Sequence, residues 1–430
     1  MAEQKKRVIL VGAGGRGRTY TNYILKHSDD YEVVGVAEPI DSRRRYIQEM
    51  HGIPDECAFT DWKPLLALPK FADACFICTM DRDHFAPTMA AIEKKYEILL
   101  EKPAGATPEE CIRLVDAAEK NGVNVLVCHV LRYTPFFMGL KALLDGGKIG
   151  RVMQIRHSED VGNVHQSHSF VRGNWGNEGR STPMLLQKSC HDMDILQWLV
   201  GKPCTRVQSF GCLSYFTEEN RPTGAPERCI DGCPVGETCP YNAVKLYLED
   251  EKNGWFRRSS TMKAEPTNAD VEHALRTTNY GKCVFGCDND VVDHQIVNLE
   301  FADQIYANFS MAAFNKGGRE IFVMGTEGTL HGKMSESFFT HYDFRTRTTT
   351  EISIADAVAG EMITGGHGGG DDGIMDAFFA RLRGDYHGKS ICSLREAVEN
   401  HMIAFAAEES RLSGTVVDVA EYAKRIESVL

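Results

Sequence analysis

The sequence predicts an α/β fold in two parts: a parallel sheet with helices near the N-terminus, and a larger, mainly antiparallel sheet behind it. Short apolar strands alternate with helices up to about residue 130, and longer strands of alternating polarity follow. The chain has 430 residues, of which 43% are hydrophobic and 25% are charged, so it is long enough for two or three domains.

The first part repeats a buried strand followed by a helix. The predicted strands are 7–12, 32–37, 74–79, 97–100 and 123–128. The predicted helices are 14–26, 43–50, 87–95 and 108–121. Strands and helices that alternate at this spacing indicate βαβ units, and therefore a parallel sheet.

After residue 130 the strands alternate between polar and apolar residues, which indicates an antiparallel sheet with one exposed face. The predicted strands are 152–157, 205–215, 293–302, 304–312 and 320–325. The predicted helices are 136–144, 191–200, 373–383 and 394–413. We therefore expect one domain over 1–130 and a second over 131–430, with an insertion at about 217–290 that is rich in Cys, Gly, Pro and charge.

Charge and hydropathy exclude several classes of function. A net charge of −12 argues against nucleic-acid partners, which need basic patches. No apolar run approaches the roughly 20 residues of a membrane helix, and residues 8–11 are too short a run for a signal peptide. We expect a cytoplasmic protein with no membrane partner.

A glycine-rich turn joins the first strand to the first helix and has the G-x-G-x-x-G pattern. Such a turn lets a pyrophosphate approach the backbone at the helix N-terminus. The candidate residues of the turn are Gly12, Gly14, Gly15, Arg16 and Gly17. Glu38 ends the second strand, where an acid binds the ribose 2′-hydroxyl, so NAD is the expected cofactor. Arg43 and the two arginines after it leave NADP open, because an arginine there could bind a 2′-phosphate.

Glu101-Lys102-Pro103 at the end of a later strand, together with the glycine turn, resembles the Gfo/Idh/MocA family (glucose–fructose oxidoreductase and inositol dehydrogenase). Further matching motifs are the loop 81–84, the segment 132–135, the helix start 188–194 and the glycine-rich loop 367–371. The resemblance implies a Rossmann domain and a domain with an open mixed sheet, which commonly forms the interface of a homo-oligomer, here a dimer or tetramer. It also implies NAD(P)-linked oxidation of a carbohydrate or cyclitol hydroxyl carbon.

The resemblance also assigns roles to individual residues. Lys102 would hydrogen-bond the reacting hydroxyl, and His191 would be the general base, with an ordinary pKa of about 6.5. Thr79, His84 and Glu101 would lie beside the cofactor. The family's usual aspartate four residues before the histidine is Gln187 here, and glutamine cannot accept a proton.

Several polar and aromatic residues near the predicted catalytic helix are candidates for sugar binding, since aromatic rings suit a pyranose face and polar groups suit its hydroxyls. His165, His168, Arg172 and Trp175 precede that helix. The segments that resemble the family add Arg132, Tyr133, Lys188, Asp192 and His367. Asp192 or Asp194 could also supply the carboxylate that Gln187 lacks.

Five cysteines cluster in the insertion, in the pattern Cys229-x₃-Cys233-Pro-x₄-Cys239-Pro, followed later by Cys283-x₃-Cys287. Thiolates suit a structural zinc site, and Cys-Pro pairs also occur in iron–sulfur segments. The spacing matches neither pattern well, so zinc, an iron–sulfur cluster and free thiols all stay open.

Three functions are compatible with these features. The first is an NAD-dependent sugar, glycoside or cyclitol dehydrogenase. The second is a redox-neutral glycoside hydrolase or lyase that retains NAD and passes through a transient keto-sugar. The third is a nucleotide-sensing protein without catalysis, against which the pairing of Lys102 with His191 argues.

Overall fold

A six-stranded parallel sheet forms the N-terminal part of the protein, described here from a computed structural model that covers residues 5–250, 252–358, 366–388 and 390–430. The strands are β1 (Lys6–Val11), β2 (Tyr31–Ala37), β3 (Ala58–Phe59), β4 (Ala74–Ile77), β5 (Glu97–Leu100) and β6 (Val125–Val127). The helices are α1 (Gly15–Lys26), α2 (Asp41–His51), α3 (Trp62–Ala67), α4 (Phe85–Glu93) and α5 (Pro108–Asn121). The strand order is β3-β2-β1-β4-β5-β6, so it reverses between β1 and β4, where ligands bind in such sheets.

A nine-stranded sheet forms the larger part, in the order β14-β13-β12-β11-β7-β10-β9-β8-β15. Its strands are β7 (Val152–Asp160), β8 (Cys204–Cys212), β9 (His294–Phe301), β10 (Ile305–Ala312), β11 (Gly318–Gly325), β12 (Gly328–Lys333), β13 (Phe338–Asp343), β14 (Thr348–Ser353) and β15 (Val417–Asp418). The pairing of β7 with β10 is parallel, and the other pairs are antiparallel. The predicted α/β class, with a parallel sheet and a mixed, mostly antiparallel one, is confirmed.

The remaining helices mostly pack against the second sheet or lie in the insertion, whereas α13 packs against the parallel sheet. They are α6 (Pro135–Asp145), α7 (Asn163–His165), α8 (Met184–Gln187), α9 (Cys190–Val200), α10 (Gly254–Thr261), α11 (Asn268–Thr277), α12 (Ile354–Val358), α13 (Gly370–Arg383), α14 (Leu394–Ser413) and α15 (Val419–Glu427). Among the helices of the described ranges, none has the length and apolar character that crossing a bilayer requires.

The core of the parallel sheet explains why β1 is apolar throughout. Ile9 and Val11 pack in one cluster with α3, α4 and α5, whereas Val8 and Leu10 pack on the opposite face with α1 and α2. Helix α13, about 300 residues later in the chain, completes that second face: Phe378 lies 5.4 Å from Phe76 of β4, ring centre to ring centre. The late helix therefore joins the two parts of the protein.

Some elements differ from the prediction. The strand expected over 205–215 ends at Cys212, and β12, β13 and β14 were not predicted. The insertion contains helices α10 and α11, for which the sequence analysis predicted no element.

Candidate active site

The glycine turn between β1 and α1 is tightly packed at Gly12 and Gly17 but open at Gly15. Gly12 has φ +91°, and a Cβ there would lie 2.5 Å from the carbonyl oxygen of Cys78. A Cβ on Gly17 would lie 2.2 Å from the carbonyl oxygen of Gly12. A Cβ on Gly15 would meet no atom within 4 Å. The turn thus needs glycine for its own packing and leaves the N-terminus of α1 free for an anion, as a dinucleotide requires.

Glu38 lies directly after β2, beside this turn, and is 4% exposed. Its carboxylate accepts hydrogen bonds from the backbone N–H of Ala13 at 2.7 Å and of Ile40 at 2.9 Å. Arg43 lies near Gly14 and donates to the sulfur of Met262 at 3.1 Å. Glu38 therefore has the position of a ribose-binding acid, and the predicted NADP-binding arginine is engaged by the insertion.

Arg16 and Glu101, both predicted beside the cofactor, form an ion pair with each other. Arg16 Nε lies 2.7 Å from Glu101 Oε1, and a second guanidinium nitrogen lies 2.7 Å from Asp371 Oδ1. Tyr20 also donates to Glu101, at 2.6 Å. His367 lies 3.0 Å from Asp371, next to residues 359–365, which are outside the described ranges. These contacts tie α1, the end of β5 and the start of α13 together around the glycine turn.

Lys102 follows β5 on a loop that a buried histidine holds in place. His84 is 1% exposed, and its ring nitrogens lie 2.6 Å from the carbonyl oxygen of Pro103 and 3.1 Å from that of Thr79. The Lys102 ammonium donates to the backbone carbonyl of Gln187. Within the described residues no carboxylate lies at ion-pair distance from Lys102, so its charge is free to act on a ligand.

His191 lies in the first turn of α9 and is 8% exposed. Its Nδ1 is buried and has no hydrogen-bond partner, and its ring lies edge to face with His129 at 5.7 Å. Burial lowers the pKa of His191 well below the ordinary histidine value, and the charges of Lys102, His129 and other basic groups lower it further. The imidazole is therefore neutral at neutral pH and can accept a proton.

Gln187 holds other residues in position instead of supplying a carboxylate. Its amide nitrogen donates to the carbonyl oxygen of Trp175 at 2.8 Å, and its oxygen accepts from Ser181 at 2.8 Å. Asp81 accepts a hydrogen bond from the indole of Trp175 at 3.2 Å, and the same Ser181 hydroxyl lies 2.7 Å from its carboxylate. Trp175, a predicted substrate residue, is thereby fixed by two hydrogen bonds, at its backbone carbonyl and at its indole nitrogen.

Lys188 and Asp192, the two predicted substrate contacts on this helix start, belong to a buried ion network. Lys188 pairs with Glu159 at 3.1 Å, and Arg319 bridges Glu159 and Asp192, with its Nε 2.8 Å from the latter. His157 lies 2.8 Å from the same Asp192 oxygen. Burial favours the protonated acid, but Arg319 and His157 prevail and hold the pKa of Asp192 below its usual value. The positive charges of Lys188 and Arg319 therefore balance the negative charges of Glu159 and Asp192.

Arg132 and Tyr133, expected to contact substrate, are 3% and 4% exposed. Arg132 donates both arms of its guanidinium to Asp194 of α9, at 2.9 and 2.7 Å, so its role is structural. His129, Asp194 and Cys392 lie close enough to hold one ion. Because Arg132 already neutralises that carboxylate, we assign the group to packing.

His165 and His168 precede helix α9 in the chain but have different surroundings. The ring of His165 lies 5.2 Å from Trp255 of α10, and burial followed by the charge of Lys188 lowers its pKa. His168 bonds the Tyr247 hydroxyl at 2.8 Å and packs inside the insertion. His165 is thus near the ion network, whereas His168 stabilises the insertion.

Glu159, Arg319 and Trp255 were missed by the sequence-based prediction. The first two are charged side chains at or beside the ends of strands β7 and β11, and a charge on the core-facing side of a strand is a usable signal. Trp255 could not be found in this way, because the sequence analysis did not predict the helix α10 that carries it.

Four of the five cysteines of the insertion lie around one cavity, and the fifth does not. Cys229, Cys233, Cys239 and Cys283 line one cavity, together with Arg172. The thiol of Cys287 instead donates to the carbonyl oxygen of Cys283, at 3.4 Å. All 14 cysteines are among the described residues, and all are free. Arg172, a predicted substrate residue, therefore lies among the thiols.

Two family models match the chain and together span most of it. Residues 6–129 match the oxidoreductase family, NAD-binding Rossmann fold, and residues 141–419 match the oxidoreductase family, C-terminal alpha/beta domain. The chain belongs to the Gfo/Idh/MocA oxidoreductase family. The resemblance inferred from Glu101-Lys102-Pro103 and the glycine turn is confirmed.

Named members of the Gfo/Idh/MocA family match to different extents. YteT of Bacillus subtilis, an oxidoreductase by name, is 23% identical over 391 residues, 86% of this chain and 88% of its own. An inositol 2-dehydrogenase of Klebsiella pneumoniae is 26% identical over 201 residues, which are 46% of this chain and 56% of that protein. The chain thus matches only about half the length of such dehydrogenases.

Solved structures share the fold. Levoglucosan dehydrogenase in complex with NADH has a TM-score of 0.70 at 17% identity and covers 97% of this chain and 99% of its own. An oxidoreductase domain protein from Kribbella flavida also has a TM-score of 0.70, at 16% identity, with 97% and 100% covered. At these identities the likeness shows the fold alone.

Proposed function

We propose that the protein is an NAD(H)-dependent dehydrogenase acting on a CH–OH group of a sugar, glycoside or cyclitol. One observation carries this proposal: two polar groups near each other lack the partners they need. The Lys102 ammonium has no carboxylate partner among the described residues, and its charge lowers the pKa of His191. The buried Nδ1 of His191 has no hydrogen-bond partner. Buried polar atoms normally have a partner, and a substrate hydroxyl supplies one here. Relatives named inositol 2-dehydrogenase and levoglucosan dehydrogenase support the substrate class.

The glycine turn and Glu38 fit a dinucleotide, which when bound would supply the hydride acceptor. Lys102 donates a hydrogen bond to the substrate oxygen and stabilises the negative charge that grows on it as the C–H bond breaks. His191 accepts the hydroxyl proton, so that the substrate loses a proton and a hydride and becomes a ketone. The hydrogen bond from Lys102 to Gln187 keeps the ammonium between the two parts of the protein.

The charge balance of the site favours an uncharged polyol. Glu159 and Asp192 neutralise Lys188 and Arg319, which leaves Lys102 as the cation for the reacting oxygen. Trp255 is 44% exposed and borders His165, so it can present an aromatic face to a ring.

A panel of sugars, glycosides and cyclitols, assayed with NAD by the absorbance of NADH, tests the proposal. Lys102→Ala and His191→Ala should each lower kcat by about 10²- to 10⁴-fold, with NAD affinity nearly unchanged. Lys63→Ala and His273→Ala change exposed residues on α3 and α11 and serve as matched controls. Near-native turnover in His191→Ala would place the base elsewhere.

A redox-neutral enzyme that retains NAD is a second candidate, supported by contacts of the insertion. Residues 262–264 begin the connection from α10 to α11, and the carbonyl oxygen of Ala264 accepts a hydrogen bond from Arg18 of α1 at 3.0 Å. Met262 contacts Ser42 and Arg43 of α2, near the glycine turn. A loop over this end of the cofactor site would slow its release. Net accumulation of NADH indicates the dehydrogenase; turnover without it, with NAD recovered from denatured protein, indicates the second candidate.

A further inference from the structure

The cavity in the insertion has four thiols and largely apolar walls. Cys229, Cys233, Cys239 and Cys283 line it, and Tyr241 and Phe285 are among the other side chains around it. The thiols come from two distant stretches of chain, which an isolated bridge between Arg228 and Lys282 holds side by side. A hydrogen bond from the Cys283 N–H to the Glu227 carbonyl, at 2.8 Å, reinforces this pairing. Four thiols around one enclosed space are a ligand set for a metal centre.

Arg172 brings a buried positive charge to the same cavity. The residue is 1% exposed, and its guanidinium donates to the backbone carbonyls of Lys282 at 2.8 Å and Tyr241 at 2.7 Å. It also contacts the sulfur of Cys229 at 3.6 Å, while NH1 is buried without a hydrogen-bond partner. No carboxylate in the described ranges forms an ion pair with it. A buried charge without a counter-charge is costly, so the cavity is suited to an anionic occupant.

The spacing of the thiols distinguishes between a single ion and a cluster. Sulfurs bound tetrahedrally to one zinc at about 2.3 Å lie about 3.8 Å apart. Across the described residues, no three of the cysteine sulfurs lie within 4.8 Å of one another. A four-iron cluster binds each thiolate to a different iron, so its ligands stand farther apart around a central space. Cys-Pro pairs, here at Cys233 and Cys239, also occur in iron–sulfur segments.

We propose that Cys229, Cys233, Cys239 and Cys283 bind a [4Fe–4S] cluster inside the insertion, and that Arg172 neutralises part of its charge. The thiols bind as thiolates, with loss of their protons, and the N–H of Arg172 hydrogen-bonds a ligand sulfur. The cluster ties the chain before α10 to the chain after α11. It therefore braces the segment that carries Trp255 and the loop 262–264, which has only a small core of its own.

Metal analysis of the full-length protein, isolated without oxygen or chelator, tests this proposal. We expect about four iron and about four acid-labile sulfide per chain, with a visible absorption band that bleaches on reduction. Stoichiometric zinc without iron, or no bound metal after incubation with iron and sulfide, would overturn it. This measurement on the unchanged protein decides the question even if cysteine variants fold poorly.

Single substitutions then test the ligand set. Cys229→Ser, Cys233→Ser, Cys239→Ser and Cys283→Ser should each lose most of the iron, whereas Cys287→Ser and the exposed Cys212→Ser should keep it. Loss of the cluster in Cys287→Ser, with retention in one of the first four, would refute the assignment of ligands. Because the readouts are iron, sulfide and absorbance, failure here does not bear on the dehydrogenase proposal.

Discussion

In the proposed reaction His191 accepts the proton and Lys102 stabilises the substrate oxygen, and the two side chains lie in different environments. Burial keeps the imidazole neutral and able to accept a proton, and Lys102 has no acidic partner in the described part of the chain. The family's usual carboxylate is absent, and Gln187 instead fixes Trp175 and Ser181. The strength of the base therefore depends on burial and nearby cations.

This arrangement predicts the pH dependence of catalysis. The base must be neutral to act, and its pKa is lowered, so kcat/KM should hold as the pH falls through about 6.5 and decline only well below it. Steady-state rates across this range measure the pH at which kcat/KM falls on the acid side of the profile. His191→Asn should lose most of the activity, and the activity that remains should no longer show this acid limb. NAD affinity measured at the same pH values is the control. An acid limb at or above about 6.5 would contradict the assignment.

Glu38 should set the choice between NAD and NADP. Its charge repels a 2′-phosphate, so Glu38→Gln should raise the ratio of kcat/KM for NADP over NAD about tenfold. The amide can still accept one of the two backbone hydrogen bonds from Ala13 and Ile40. Glu38→Asp keeps the charge and should keep the preference. A native enzyme that prefers NADP would show that the position has been misinterpreted.

The residues whose place at the end of a strand could be predicted are those that belong to a local motif. The glycine turn, Glu38 and Lys102 come directly after strands, and the carboxyl ends of parallel strands share one edge of a sheet. The partners of Arg16, Arg132 and Lys188 could not be predicted, since each lies more than 20 residues away or on another strand. Distant ion pairs depend on how the two sheets face each other, which no local pattern encodes.

At the level of elements, helix α14 was predicted with the correct bounds because it carries both of its end signals. Ser393 and Glu396 form a capping box, and Gly414 in the left-handed conformation ends the helix. Strands β12 to β14 were missed; they are six residues each, and β14 is mostly exposed, so their apolar pattern is weak. The parallel pairing of β7 with β10 connects strands about 145 residues apart and has no local signature.

Because the loop 262–264 contacts Arg18 and Arg43 near the glycine turn, we expect the insertion to help retain the cofactor. Replacing these three residues by glycine removes the contact of the Met262 side chain with Arg43 and loosens the one between Ala264 and Arg18. Contacts of this kind contribute about 1 kcal/mol each, so the dissociation constant of NAD should rise about tenfold. Titration calorimetry measures it, and the same replacement in the exposed turn 345–347 is the control. Unchanged affinity and release rate would mean that the loop does not hold the cofactor.

For the molecule as a whole, ion pairs link distant segments of the chain near Lys102 and His191. Arg16 joins α1 to α13 through Asp371, and Arg132 joins the end of the N-terminal part to α9 through Asp194. Lys102 and His191 come from opposite sides of this junction. Because hydride transfer requires both in a fixed geometry, we infer that these pairs keep the two parts in register.

The outer face of the second sheet carries exposed apolar side chains, from which we expect the protein to self-associate. Phe210, Ile296 and Tyr306 on β8, β9 and β10 are 53%, 44% and 49% exposed, and Phe210 lies directly opposite Ile296. We propose that this face forms the interface of a dimer or tetramer, since exposed apolar side chains such as the adjacent pair Phe210 and Ile296 mark association surfaces.

The double variant Phe210→Glu/Ile296→Lys removes the apolar pair but leaves a cross-strand ion pair that preserves the sheet. Light scattering after gel filtration should show a multimer for the native protein and a smaller species for the variant, with unchanged circular dichroism. Tyr342→Glu on β13, at the far side of the sheet, is the control and should keep the native mass. A native protein that is monomeric at all concentrations, or a variant of unchanged mass, would exclude this face as the interface.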